Sequence, residues 1–443
     1  MNPIWFTAAV HHRRSVDPSG GECDAPRMTG HADPAGPRRV LFLQGPISPF
    51  FARLGAALMA RGHAVHRINL CLGDRLIWPH PATDFRGRPD AWPAFIDCFL
   101  DRHAITDLVL LGEQRGYHQV AIAAAATRGI RVCVTDYGYF RPDWITLERD
   151  ALGGGSRFPR DPGAIRRLAE GLPDADLTPR FADDFGRQAR WEVVYQLASL
   201  LPWPFPHYRR FLLHHPIPSL LGNGWRLIRE GAERRAGVAL LASLRSKSFW
   251  LFGMQMETDF SIRAYSTWPD MEAPIATVLA SFARAAPAQD HLLVKVHPLD
   301  PGLKRWDRRV ARLAAAAGLA GRVHLAWAGP LDAMMQEARG VLTVNSTLGL
   351  RAVELGVPIK GMGQAVWDVA GLAHRGPLDA WWHEAAAPEP ALRRAFLAAL
   401  QATTQARGAF FVEQGLTLAV AAAVEKLETG RLGVPDAFAE IRR

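Results

Sequence analysis

His291-Leu292-Leu293-Val294-Lys295-Val296-His297-Pro298-Leu299-Asp300 and Gly340-Val341-Leu342-Thr343-Val344-Asn345-Ser346-Thr347-Leu348-Gly349-Leu350 decide the reading of this chain. Each is a short apolar run that ends in polar groups and then gives way to helical spacing. Such runs are the strands of a buried parallel sheet. In an open parallel sheet, ligands bind beyond the carboxyl ends of the strands. A hydroxyl pair opening a helix adds unpaired backbone N–H groups and the positive end of a dipole, a place to hold a phosphate without a metal.

The alternation extends in both directions. Arg39–Leu43, Val65–Leu70, Asp107–Leu111 and Ile130–Val134 read as strands, with helical spacing over Phe50–Arg61, Trp92–His103 and Tyr117–Arg128. Strands and helices then give way, from Ala151 to about Gly237, to a stretch rich in Trp, Pro and Arg, expected to be helical and irregular bridging structure. Alternation resumes at Ser248 and continues to Met362. Strands alternating with helices imply a parallel α/β sheet in each half. The expected division is a disordered leader over 1–37, a first lobe with its bridging segment over 38–237, a second lobe over 238–385, and C-terminal helices over 386–443.

Composition narrows the function. The chain has 443 residues, a formal charge of +9, 49% hydrophobic and 21% charged residues. These are globular values for more than one core. Only 5 of the 52 basic residues are lysines, and no basic run is interleaved with aromatics, so nucleic acid is disfavoured as a partner. The positive surplus suits a nucleotide, an acidic sugar or an anionic membrane face. Cys23, Cys71, Cys98 and Cys133 form no CxxC pair and are expected to be buried free thiols. No apolar stretch is long enough for a membrane span and Met1–Val10 lacks a signal-peptide pattern, so the expectation is a cytoplasmic protein, at most peripheral to a membrane. The histidines lack metal-ligand spacing, and no metal is expected.

Lys295 and His297, two apart, are expected on one face of a strand end, with Pro298 fixing the turn. Asn345, Ser346 and Thr347 open the following helix. Glu354, two turns beyond Thr347, is a candidate for ribose hydroxyls. In the first half, the densest polar segment is Asp136-Tyr137-Gly138-Tyr139-Phe140-Arg141-Pro142-Asp143-Trp144-Ile145-Thr146-Leu147-Glu148, read as a loop after the strand ending at Val134. Asp136 suits a carboxylate role in glycosyl chemistry. Arg141 suits a sugar carboxylate or phosphate, with Asp143 beside it. Two further loops stand at strand ends: Gln44-Gly45-Pro46, and Gly112-Glu113-Gln114-Arg115, which offers a second acid and a base for substrate. The alternatives for these groups are structural: a satisfied turn histidine, an N-cap serine, an ordinary surface carboxylate.

Taken together, Gln44-Gly45-Pro46, Asn69, Gly73-Asp74, Tyr139 through Glu148, His297-Pro298-Leu299-Asp300, Asn345-Ser346-Thr347 and Gly376-Pro377-Leu378-Asp379 resemble the bacterial capsular polysaccharide β-Kdo transferases, in particular the single-module branch that starts the linker on a lipid. The resemblance covers about residues 39 to 385. It implies a GT-B-like fold of two Rossmann-like lobes with a cleft, and an anomer-retaining transfer of Kdo from CMP-Kdo, held without a metal or other cofactor. It also implies a phosphatidylglycerol-type acceptor at the cytoplasmic face of the inner membrane, with other capsule biosynthesis and export proteins as partners. The family pairs two acids before Gly-Tyr where this chain has Asp136-Tyr137, and has Asp where this chain has Glu113. Asp136 is therefore taken first as the catalytic acid and Glu113 second. A transferase using another activated sugar, or a non-catalytic assembly or export partner, are the rival readings. The segment from Trp203 to Leu221, with Trp203, Phe205, Tyr208 and Phe211 among basic residues, is the expected membrane-facing surface.

Overall fold

The computed structural model describes residues 36–181, 184–210 and 216–440. The leader expected over 1–37 lies almost wholly outside them, as does Phe211. The chain forms two compact units. The first takes residues up to Leu152, then Asp176–Phe211 and Gln401–Ala437; the second takes Gly153–Ala175, Leu212–Leu400 and the end of the chain.

Six strands of the first unit come early: β1 (Arg39–Phe42), β2 (Ala64–Asn69), β3 (Thr83–Asp84), β4 (Asp107–Leu111), β5 (Arg131–Tyr137) and β6 (Trp144–Arg149). The second unit supplies β7 (Phe249–Gly253), β8 (His291–Lys295), β9 (Val323–Ala326), β10 (Val341–Thr343) and β11 (Ile359–Gly361). A last strand, β12 (Gln405–Arg407), returns to the first sheet. The orders are β12-β6-β5-β4-β1-β2-β3 and β11-β10-β7-β8-β9. The second sheet is parallel throughout, and the first is parallel from β5 to β3. Two α/β units on parallel sheets match the expected fold class.

Side-chain alternation explains the layering. Val40 and Phe42 enter one core with Leu54, Leu58 and Leu416 from helices Phe50–Ala60 and Glu413–Thr429. Leu41 and Leu43 enter the opposite core with Ile96 and Ala121 from helices Trp92–Arg102 and Gly116–Ala126. A strand covered on both faces has no polar side, which is why these runs read as continuous hydrophobics. In the second unit Trp250, Phe252, Leu292 and Val294 pack with Trp381 and Trp382.

Three expectations change. The polar segment Asp136–Glu148 is not a connecting loop but a hairpin: β5 runs on to Tyr137, and Trp144–Arg149 returns antiparallel beside it. Its tightness depends on Gly138, where a Cβ would lie 2.1 Å from the Trp144 carbonyl oxygen. The C-terminal residues are not a separate helical tail. β12 pairs antiparallel with β6, and helix Glu413–Thr429 buries Leu416, Ala423 and Leu427 in the first core. Cys71 and Cys133 are buried free thiols, but Cys98 is disulfide-bonded, so the expectation of four free cysteines fails there.

A buried polar knot closes the first sheet at its carboxyl edge. Asp74 has no exposed surface; it accepts from the Leu70 amide (2.9 Å), the Tyr195 hydroxyl (2.8 Å) and Gln44 Nε2 (3.1 Å), and faces Arg67 at 3.5 Å. Burial pushes the Arg67 guanidinium down from its ordinary range, while Asp74 holds it up. Removing Asp74 would strand that charge, which costs roughly 3–5 kcal/mol in comparable cases. Asp74→Ala should therefore lower the urea midpoint of unfolding by a large margin; a midpoint near that of the parent chain would show that Arg67 finds another partner.

Candidate functional site

Both sheets have a topological switch point. In the second unit the order reverses at β7, which lies between β8 and β10. His297 follows β8 and Ser346 follows β10, so they flank the end of β7, about 10 Å apart at two strand spacings. His297 Nδ1 accepts the Leu299 amide at 3.1 Å. That bond places the proton of a neutral ring on Nε2, which makes Nε2 the donor. Arg226, from helix Pro216–Leu244, holds the turn by donating to the carbonyls of His297 (3.3 Å), Pro298 (2.8 Å) and Asp300 (2.6 Å).

The neighbouring helix Thr347–Leu355 begins with Ser346 as N-cap, its Oγ accepting the Leu348 amide at 3.2 Å. The Ser346 carbonyl accepts from Trp367 Nε1 at 2.9 Å. Thr347 is exposed at the first helical position. A helix start with an exposed hydroxyl and first-turn amides can receive an anion.

Three of the residues expected beside them do other work. Lys295 is turned to backbone carbonyls. Its ammonium is buried and donates to the carbonyls of Val296 (2.8 Å) and Trp327 (3.2 Å), and burial pulls its pKa down to about 8. Asn345 is locked to the segment after β7: its amide donates to Gln255 Oε1 (2.8 Å), and its side chain bonds Gln255 Nε2 (2.9 Å) and the Ser261 carbonyl (2.8 Å). Glu354 is half-buried, about 10 Å along the helix axis from Thr347. Its carboxylate pairs with Arg351 at 2.5 Å, and burial raises its pKa. It is an intrahelical partner and not an open acceptor for ribose.

In the first unit the order reverses between β1 and β4. Leu111 is paired with Thr135, and the Gly112 amide donates to the Thr135 carbonyl at 3.1 Å. Glu113 and Asp136 thus stand at neighbouring strand ends, about 5 Å apart in the pairing direction. Asp136 is half-buried with Oδ1 accepting the Tyr137 amide at 2.8 Å, and Glu113 is buried beside Gln114. Arg115 precedes helix Gly116–Ala126, and its charge bears on Tyr137, Glu192 and Tyr208. Arg141 is exposed, with its guanidinium over the Tyr137 ring at 5.3 Å.

Gln44, Gly45 and Asp143 are structural where substrate contact was expected. Gln44 lies inside the Asp74 knot, also reaching the hydroxyls of Tyr195 (3.1 Å) and Tyr208 (3.2 Å). Gly45 is small because a Cβ would meet the Phe51 ring at 2.3 Å. Asp143 is buried and accepts from Arg407 Nη1 (2.9 Å) and the Arg180 amide (2.7 Å), with the Arg407 guanidinium over Trp144 at 4.1 Å.

Glu192 was missed by the sequence reading. It sits on helix Phe185–Ala198, and burial raises its pKa against the pull of Gln196 and Arg115. Nothing in the local pattern marks it, because its neighbours come from the distant β4 and β5 ends. Gln255 was within reach of the strand-end rule, being two residues past β7. Among the described residues no group of three or more His, Cys, Asp and Glu is placed to hold a metal ion.

His118 fixes the loop that carries Glu113 and Arg115: its Nδ1 bonds the Gly112 carbonyl at 2.8 Å. Burial, and next the Arg115 charge, hold its pKa down at about 3 against an ordinary 6.5. The folded state therefore keeps His118 neutral where the unfolded chain takes up a proton. The stability this group contributes is complete above pH 6.5 and is lost as pH falls toward 3. His118→Gln should flatten the fall of unfolding free energy between those limits by up to about 1.4 kcal/mol per pH unit. Urea titrations at several pH values measure it; an unchanged slope would mean that His118 titrates normally.

Comparison with known proteins identifies the family. The chain is 28% identical over 381 residues to the capsule polysaccharide export protein KpsS of Escherichia coli, covering 84% of this chain and 97% of that protein. It is 28% identical over 387 residues to the capsule polysaccharide modification protein LipB of Neisseria meningitidis serogroup B, covering 84% of this chain and 91% of that one. Among solved structures, the KpsC beta Kdo 2,7 transferase of Thermosulfurimonas dismutans aligns with a TM-score of 0.42 at 11% identity, over 87% of this chain and 99% of that chain. The family model described as capsule polysaccharide biosynthesis protein matches residues 106–411, a span that takes in the Glu113, Asp136, His297 and Ser346 strand ends, and the chain belongs to that family.

Proposed function

We propose that this protein is a retaining glycosyltransferase of GT-B-like arrangement that moves Kdo from CMP-Kdo to a phosphatidylglycerol-type lipid in capsular polysaccharide linker biosynthesis. The observation that carries the reading is the pairing of His297 with the N-terminus of helix Thr347–Leu355 around the end of β7. In this reading the His297 Nε2–H, the first-turn amides and the Thr347 hydroxyl receive the donor phosphate, with no metal needed to offset its charge. Arg226, Lys295 and Asn345 hold the backbone that presents them. The first unit supplies the carboxylates: Asp136 takes the acceptor proton or stabilises the oxocarbenium-like centre. Glu113 is the second acid and Arg115 the counter-charge. The work is done at the inner-membrane surface from the cytoplasmic side, alongside other capsule biosynthesis and export proteins.

A second reading is favoured by the relatives' names, which speak of export and modification. A non-catalytic assembly partner would keep nucleotide binding and lose turnover. A transferase using a different activated sugar would keep both.

Calorimetry in EDTA should show CMP binding by the parent chain, weakened in His297→Ala by about 1.5–3 kcal/mol for one charge-assisted contact. Equal affinity in the variant removes His297 from the site.

Asp136→Ala should abolish Kdo transfer to a synthetic lipid acceptor, followed by mass spectrometry with CMP-Kdo generated in situ, while CMP binding stays near that of the parent. If Asp136→Ala turns over normally and Glu113→Ala is inactive, the role belongs to Glu113. CMP binding with no transfer by the parent to any acceptor would favour the assembly partner.

A further inference from the structure

The segment expected to face a membrane does not do so as a whole. Phe205 is 3% exposed, and Tyr208 is half-buried, its hydroxyl accepting from Gln44 and its ring stacked on Tyr117. Trp203 is 81% exposed. It follows, in the chain, an apolar stripe that the sequence reading passed over. On and just beyond helix Phe185–Ala198, Val194 (49% exposed), Leu197 (49%) and Leu201 (57%) follow one another at spacings of three and four. Arg187 and Arg190 extend the same face toward the helix start.

A cavity of about 450 Å³ lies in the first unit beside this face. Trp191, Phe411 and Leu416 give it apolar walls, and Arg53, Arg187 and Arg190 bring three positive charges. One carboxylate, Glu413, is among the lining residues; it is paired with Arg53, and Arg53 and then Arg187 hold its pKa down. Arg187 donates to the Phe411 carbonyl at 3.0 Å. The Arg190 side chain has no hydrogen bond or ion pair among the described residues. The Phe411 ring stacks on Tyr137 at 6.3 Å, and Tyr137 is the neighbour of Asp136.

We propose that this cavity seats the phosphate headgroup and first chain carbons of an anionic phospholipid, and that Val194, Leu197, Leu201 and Trp203 dock the first unit on the bilayer that holds it. The volume is that of a small-molecule pocket. Excess guanidinium charge over apolar walls is complementary to a phosphate that carries hydrocarbon. A free sugar phosphate would use the charge but leave the walls and the exposed stripe unmatched. Exposed aromatic and aliphatic groups next to arginines are the features of an interfacial element. No helix among the described residues is long and apolar enough to cross a membrane, so this contact would be peripheral. The inference rests on the lipid-acceptor reading for its purpose: it names where on the first unit that acceptor is held.

The test is sedimentation of the full chain with vesicles of equimolar phosphatidylcholine and phosphatidylglycerol, and with phosphatidylcholine alone, with no sugar donor present. Binding to the anionic vesicles should exceed that to neutral ones and fall with salt. Arg187→Glu with Arg190→Glu should weaken it about thirtyfold or more, two basic groups being lost from the anionic surface. Leu197→Ser with Trp203→Ser, at exposed positions that should not disturb folding, should weaken it at low and high salt alike. Equal binding of the parent to both vesicle types, or variants with parental circular dichroism that sediment like the parent, would overturn the proposal. Because no donor is present, vesicle binding without any subsequent transfer would speak against the transferase reading alone. Transfer to a monomeric short-chain phosphatidylglycerol without vesicle binding would speak against the docking proposal alone.

Discussion

Asp74 is a carboxylate with no exposed surface, and the carboxyl edge of the first sheet is arranged to satisfy it. An isolated buried charge is costly enough that the chain must bring donors to it. They come from far apart: the Leu70 amide beyond β2, Gln44 beyond β1, Tyr195 from helix Phe185–Ala198, and Arg67 from β2 itself. Tyr208 joins through Gln44. The knot anchors the helix that carries Glu192, Arg187, Arg190 and Val194 to the sheet that carries Asp136 and Glu113. Candidate chemistry and candidate lipid contact in the first unit both depend on that tie.

The second unit solves a related problem with backbone carbonyls. The turn after β8 has backbone carbonyls that require donors. Arg226 and Lys295 provide them from below, and the low pKa of Lys295, about 8, reflects how far its ammonium has been taken from water. Asn345 does the same for the start of helix Thr347–Leu355, through Gln255 and Ser261. The polar residues of each motif therefore divide into those that remain candidates for the site and those that hold the fold. His297, Thr347, Asp136, Glu113 and Arg115 stand at strand ends or helix starts. Gln44, Lys295, Asn345 and Asp143 are consumed by their supports.

That division was not legible in the sequence. A polar residue at the end of an apolar run looks the same whether it faces a ligand or a carbonyl from another part of the chain. Asp143 is the plain case: its partners Arg180 and Arg407 are 37 and 264 residues away. Glu354 was misread for a different reason. Helical periodicity correctly placed it on the Thr347 face, but the nearer Arg351, one turn before it, takes the carboxylate. Exposure along Trp203–Tyr208 was equally invisible, since aromatics suit a bilayer surface and a core alike.

What the sequence by itself determined is the pair of parallel sheets and the strand ends and helix starts where the candidate site residues stand. Buried strands must be apolar on both faces and helices must have a stripe, so β1, β4, β7, β8 and β10 and the helices between them announce themselves by period. The carboxyl ends follow from their boundaries. Tertiary structure alone decided the hairpin of β6 on β5, the return of β12 and helix Glu413–Thr429 to the first unit, the Asp74 knot, and the cavity lined by Arg187 and Phe411. Each of these rests on contacts between segments distant in the chain. Local periodicity records which face of an element must be buried, and carries no information about which distant residue will cover it.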